Sequence, residues 1–244
     1  MKRIGMRPPR WLVWTTAVFV LLAGSLWGVW ALANARSFQL YGGLTDRVDT
    51  QDKVVALTFD DGPTELTPAV LRHLADAGVR ATFFLTGREL AAHREQGAAI
   101  ARAGHEIGNH TYTHARMWLV GTEFVASEVE RTDEEIRRTG YSGEITFRPP
   151  NGKKLVSLPR YLDRHQRKTI MWDVEPESDG TDANDPAAIT RAVVDQVRPG
   201  SIVLLHVMYP ARTASMDAVP GVLTGLKERG YRFVTISELL AAQR

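Results

Sequence analysis

From residue 53 onward, short unbroken apolar runs alternate with segments carrying helix signals, and that rhythm points to a parallel α/β architecture. The run Val54-Val55-Ala56-Leu57-Thr58-Phe59 lacks polar alternation, the pattern of a strand covered on both faces. Thr67 and Pro68 read as N-cap and first helical residue, Val70, Leu71 and Leu74 as the inward stripe, and Gly78 as the stop. Residues 81–85, 145–147, 169–174, 201–207 and 232–236 read as further strands. Between them lie an alanine-rich helix ending near Gly104 and one through Phe124, Val125, Val129 and Ile136, closed by Gly140. Two more follow, one opened by Asp185-Pro186 and one over residues 219–228. A parallel β/α barrel and a doubly wound sheet both satisfy this order. Either would collect its working residues at the C-terminal ends of the strands.

Ahead of this domain, residues 11–35 carry no charge and are long enough to cross a bilayer as a helix. Trp11, Trp14, Trp27 and Trp30 stand near the two ends, where indoles favour membrane interfaces. Lys2, Arg3, Arg7 and Arg10 precede the first acidic residue, Asp46. That asymmetry predicts a cytoplasmic tip at residues 1–10 and export of the remainder. Ala31-Leu32-Ala33 and Ala33-Asn34-Ala35 both satisfy a small-x-small cleavage pattern, so a signal anchor and a signal peptide both fit. The length of the run, greater than a usual signal-peptide core, favours the anchor. Residues 36–52, with Gly42-Gly43, read as a tether, and residues 53–244 as one catalytic domain.

The formal net charge of +2 comes from 30 basic and 28 acidic residues. Setting aside the basic residues at the tip leaves 26 against 28, so the exported part gives no reason to expect nucleic acid. There is no cysteine, which excludes disulfide scaffolds and thiolate chemistry and confines any metal to His and carboxylate ligands.

The chemistry-bearing strings are Thr58-Phe59-Asp60-Asp61-Gly62, His110-Thr111-Tyr112-Thr113-His114, Arg148-Pro149-Pro150, the pair Asp173 and Glu175, and Leu204-Leu205-His206. His110 and His114, four residues apart, would share one face of a helical turn and could chelate one cation, although such spacing alone is common. Adjacent carboxylates at a strand end repel, and Asp60-Asp61 needs something positive nearby. Two imidazoles and one carboxylate leave coordination positions open, as in catalytic zinc sites, and cobalt or nickel would suit the same donors. The other carboxylate of the pair, beside the metal and not ligating it, would then serve as general base. Asp173 and Glu175, read as alternating along a strand, should share a face opposite Trp172 and Val174, and one of them could hydrogen-bond His206 and raise its pKa.

In this order the strings resemble the polysaccharide deacetylase family, the NodB-homology carbohydrate esterases, over roughly residues 53–240. The resemblance implies a distorted (β/α) barrel with fewer than eight regular units. It implies Asp61, His110 and His114 as metal ligands, Asp60 as base, Arg148 as the residue orienting that base, and His206 as acid for the leaving amine. It also implies a backbone oxyanion donor after Pro150. Relatives often carry an aromatic residue where Asn151 stands, and an aspartate followed by tryptophan where Glu175 stands. Tyr112, Trp118 and Tyr209 are placed to stack on sugar, with core packing an equal account of Trp118. Pro150, Asn151 and Tyr209 are the expected substrate contacts.

The expected activity is hydrolysis of a linear amide: deacetylation of N-acetylated sugars in an extracellular or cell-wall polysaccharide, by metal-activated water. The expected partners are that polysaccharide and, through the N-terminal helix, the membrane. The enzyme would be periplasmic or extracellular, and secreted if the N-terminus is cleaved. A catalytically silent, membrane-anchored glycan-binding protein and a hydrolase of small non-sugar amides are the competing readings.

Overall fold

A computed structural model describes residues 9–242. Lys2, Arg3 and Arg7 of the basic tip lie outside the described residues. Helix α1 runs over Arg10–Asn34 and is long and apolar enough to cross a membrane. Its tryptophans are exposed, whereas Ala33 near its end is fully buried against the rest of the chain. Strand β1, Leu44–Thr45, follows, and then β2, Val54–Asp60, buried along its whole length.

Past β2 the chain alternates: α2 (Thr67–Ala77), β3 (Thr82–Leu85), α3 (Gly87–Ala92), α4 (Arg94–Arg102), β4 (Glu106–Asn109) and α5 (Thr122–Arg138). It continues with α6 (Ser157–Arg164), β5 (Thr169–Ile170), α7 (Pro186–Gln196), β6 (Ile202–Leu205), α8 (Thr213–Glu228), β7 (Arg232–Val234) and α9 (Ile236–Ala241). Gly78, in the left-handed region at φ 63°, stops α2, where a side chain would be strained. A capping box between Thr235 and Glu238 starts α9.

All the strand ladders are parallel. In the main sheet the order is β4-β3-β2-β6, with β7 pairing the first half of β2. Single parallel bridges continue the pairing, from Asn109 to Phe147, from Phe147 to Thr169, and from Val174 to Val203 of β6. The sheet therefore curls toward a barrel through isolated bridges in place of continuous ladders. Phe59, Phe83, Leu85, Leu205 and Val203 fill one face of it beneath α2, α7 and α8. Because the strands run the same way, Asp60, His110, Arg148 and His206 all emerge at one rim.

The structure departs from expectation in places. Residues 145–147 pair only through bridges at Phe147, and residues 169–174 form a strand only at Thr169–Ile170. The alanine-rich helix is two helices, α3 and α4, with His93 between them. Helix α8 starts at Thr213 and runs through Pro220. Thr67 lies inside α2, with its hydroxyl accepting from Thr64 N at 3.0 Å. Residues 36–52 pack onto the domain: β1 pairs with β5, Val48 is fully buried, and Val48 N donates to Gly200 O at 3.0 Å.

Candidate active site

Strand β2 delivers Asp60 into the interior, 2% exposed, and the backbone then turns through φ 65° at Asp61. Arg148, wholly buried, meets Asp60 with Nη1 2.6 Å from Oδ1. The same nitrogen donates to Thr58 Oγ1 at 2.8 Å, and Nη2 donates to Met171 O at 3.1 Å. The guanidinium carbon lies 4.1 Å from the Phe84 ring centroid. A buried arginine so furnished stays charged and cannot swing away. Burial alone would raise the Asp60 pKa. The Arg148, His110 and His206 charges and the Arg148 hydrogen bond outweigh it and hold the carboxyl below its ordinary value.

His110 and His114 do converge, by a route other than a helical turn. His110 leaves the end of β4, and the loop after it passes through φ 66° at Thr111 and φ 60° at His114. Non-glycine residues tolerate such angles only where surrounding bonds enforce them. Here Glu128 of α5 accepts from Tyr112 N at 2.9 Å and Thr113 N at 2.8 Å, and Asn109 Oδ1 accepts from Thr111 N at 2.9 Å. Asn109 in turn donates to Val129 O at 2.9 Å and Asp133 at 2.7 Å. His114 Nε2 then stands 3.2 Å from Asp61 Oδ1, and His110 Nε2 3.7 Å from the same oxygen.

The ligand atoms of Asp61, His110 and His114 lie within 4.8 Å of one another, and their chemistry fits a divalent cation. His110 Nδ1 sits 2.7 Å from Arg148 O. A carbonyl only accepts, so Nδ1 carries the proton and Nε2 offers its lone pair to the centre of the cluster. Burial and the neighbouring His110 hold His114 below its usual pKa against the pull of Asp61 and Asp60, favouring the neutral ring that ligates.

His206 ends β6 across a cavity of 770 Å³ from this cluster. Its Nδ1 pairs with Glu177 Oε2, its backbone N donates to Glu177 Oε1 at 3.1 Å, and Ser215 Oγ donates to the same carboxylate. Burial alone would lower the His206 pKa, but its hydrogen bond to Glu177 and the charges of Asp60, Glu177 and Asp61 raise it to about 9. At neutral pH this imidazole is protonated, with Nδ1 occupied by Glu177.

The carboxylate on His206 is thus neither Asp173 nor Glu175. Asp173 accepts from Ser201 Oγ and Ile202 N, both at 2.8 Å, and braces the start of β6. Glu175 accepts from Trp172 Nε1 at 2.8 Å and pairs with Arg36 at 2.6 Å, so it shares a side with Trp172 where opposite faces were expected. Pairing ends at Ile170 apart from a bridge at Val174, and the chain turns through Pro176–Ser178, which carries Glu177 up to His206.

Pro150 is buried, and Asn151 adopts φ 54° at the cavity wall, its Oδ1 accepting from Arg116 Nε at 3.4 Å. Tyr209 also lines the cavity, its hydroxyl pushed up to about 12 by burial and by the Asp61 and Glu89 charges. Tyr112 lies under the Arg131 guanidinium, 3.7 Å from its ring centroid, which supports packing over sugar stacking. Glu177, Glu128, Asn109, Trp172 and Arg36 escaped sequence reasoning. The only sequence signal for Glu177 was its nearness to Glu175.

The chain is similar to known proteins. A family model described as polysaccharide deacetylase matches residues 47–170. A peptidoglycan-N-acetylglucosamine deacetylase of Bacillus cereus is 34% identical over 194 residues, covering 78% of this chain and 69% of that protein. A crystal structure of a peptidoglycan N-acetylglucosamine deacetylase bound to a naphthyl benzamide superposes with TM-score 0.75 at 31% identity, covering 80% of this chain and 92% of the other. A carbohydrate esterase family 4 pseudoenzyme from Bacillus anthracis gives TM-score 0.74 at 29% identity, covering 84% and 71%.

Proposed function

Because the chain belongs to the polysaccharide deacetylase family, we propose that it removes acetyl groups from N-acetylated sugars of an extracellular or cell-wall polysaccharide, as a metal-dependent hydrolase. One observation carries the reading: an ionised Asp60 gripped by Arg148 and a protonated His206 gripped by Glu177 share a cavity with an Asp-His-His donor set. A base and an acid held in opposite protonation states at one pH are what amide hydrolysis requires.

Asp61, His110 and His114 would hold the cation, with zinc first and cobalt or nickel accepted by the same donors. When bound, it would supply Lewis acidity, acidifying a water and polarising the acetyl carbonyl. Asp60 takes a proton from the attacking water. Its free oxygen Oδ2 faces the cluster, 3.6 Å from His110 Nε2, while Oδ1 stays with Arg148. Asn151 lines the cavity wall, and its backbone N–H would receive charge on the carbonyl oxygen as the tetrahedral centre forms. His206 gives its Nε2 proton to the sugar nitrogen as the C–N bond breaks, leaving acetate and a free amine. Asp173 holds the base of β6 and Glu175 holds Trp172, both supporting the wall without touching reacting atoms.

The test is acetate release from defined N-acetylated oligosaccharides, with and without chelator. Asp60→Asn should lower kcat by about 10²–10⁴-fold, the usual worth of a positioned base, while retaining metal. His110→Ala should lose both metal and turnover. The pseudoenzyme relative shows that the fold can persist in a protein of that description, so glycan binding without acetate release would favour the silent reading. Turnover of small amides alone would favour a non-sugar hydrolase.

A further inference from the structure

The end of α1 forms part of the catalytic cavity. Asn34 and Arg36 line it together with Asp60, His110, His206 and Arg212. The domain fixes this segment in place. Lys154 N donates to Ala33 O at 3.2 Å, the buried Lys154 Nζ donates to Ala35 O, and Lys153 Nζ donates to Asn34 Oδ1. Both lysines directly follow the Asn151-Gly152 turn of the cavity wall.

Arg36 is thereby set with Nη2 2.6 Å from Glu175 Oε2 and its guanidinium 5.0 Å from the Trp172 ring centroid, yet its side chain remains 47% exposed. A guanidinium carries five N–H donors. Among the described residues Glu175 is its one side-chain partner, so most of that capacity is free. The cavity's carboxylates are engaged: Asp60 with Arg148, Asp61 with the histidines, and Glu175 with both Trp172 and Arg36. Arg212 is exposed at the same mouth and has no carboxylate partner among the described residues. The cavity is thus acidic at its floor and cationic at its rim.

We propose that Arg36, delivered by the end of α1, is a specificity-determining residue that receives an anionic group, carboxylate or phosphate, carried by the glycan beside the acetylated sugar. The assignment rests on the deacetylase reading of the cavity. A planar fork already braced by Glu175 and Trp172 suits a flat or tetrahedral oxyanion, and Arg212 adds the same sign.

The test uses the full chain in uncharged detergent micelles and two oligosaccharides of equal length. One is neutral poly-N-acetylglucosamine, and the other alternates with N-acetylmuramic acid, whose carboxylate supplies the charge. The wild type should favour the charged one in kcat/KM, and Arg36→Gln should lose about tenfold on it through KM, as a charged hydrogen bond is worth. On the neutral one Arg36→Gln should stay within about twofold, and Arg36→Lys should restore part of the difference. Equal losses on both substrates would mean that Arg36 only supports Glu175, and would overturn the proposal. Adding phosphatidylglycerol to the micelles separates a lipid phosphate from the glycan's own charge. Loss of the wild-type preference on its addition would assign Arg36 to the headgroup and overturn the glycan role. Should the wild type release acetate from neither, the deacetylase reading fails, and calorimetric binding of the same pair decides for Arg36. A preference present in wild type and absent in Arg36→Gln upholds it, and equal affinities reject it.

Discussion

Glu177 sets the charge of His206, and the consequence is measurable in both catalysis and stability. Glu177→Gln should bring the His206 pKa down from about 9 toward its ordinary value and move the alkaline limb of kcat/KM downward. Activity at pH 8 should fall about thirtyfold if the pKa returns to 6.5, since the acid form then drops from about nine-tenths to about one-thirtieth. In the folded state the His206 pKa is raised, so its contribution to stability is complete below 6.5 and lost as pH rises through about 9. Burial would raise the Glu177 pKa, but the bonds from His206 and Ser215 hold it below 4.5, so its contribution is present above 4.5 and lost as pH falls through the folded value. The melting-temperature gap between wild type and Glu177→Gln should therefore be widest between those limits and close toward pH 10. Glu128 supports the other side of the cavity. Glu128→Ala should weaken zinc binding about 10–100-fold, as loss of an outer support does, read by titration of the metal-free protein. The residues that sequence reasoning placed at the rim, Asp60, Asp61, His110, His114, Arg148 and His206, do meet there. Glu177 is not legible because strand parity over residues 169–174 presumes a ladder that in fact stops at Ile170.

At the scale of elements, the segment before β2 was illegible for a different reason. Residues 36–52 show no apolar periodicity, because backbone bonds hold them: β1 pairs with β5, and Val48 N donates to Gly200 O. Gly200 sits at φ 80°, and a Cβ there would stand 1.9 Å from Val48 O. Gly200→Ala should cost more than about 3 kcal/mol, the range of backbone strain combined with a buried clash, read by urea unfolding of the fragment beginning at residue 36. A fragment beginning at residue 51 should melt well below one beginning at 36. Strand β4 was equally hidden. Glu106-Ile107-Gly108-Asn109 has one large apolar residue, and Gly108 is required where a Cβ would meet the Phe84 ring at 2.5 Å. Buried strands rich in Val, Leu and Phe announce themselves, while strands defined by close approach do not.

At the scale of the whole molecule, the uncharged N-terminal run is a helix of 25 residues, about 37 Å at 1.5 Å per residue, enough to span a hydrocarbon core of roughly 30 Å. If it is an uncleaved anchor, the full chain should sediment with membranes, resist extraction by carbonate and high salt, and be released by detergent. Release at neutral pH without detergent, as a chain shortened near residue 35, would instead mark a cleaved signal. The order of apolar runs made the parallel α/β class legible, whereas its incomplete curl was not, since isolated bridges leave no periodic trace. Lys153 and Lys154 grip Asn34 and Ala35 with no slack between helix and cavity. If the helix stays in the bilayer, the cavity has no leash: it would ride at a constant height above the lipid, reaching acetylated strands that graze the bilayer and not those farther out.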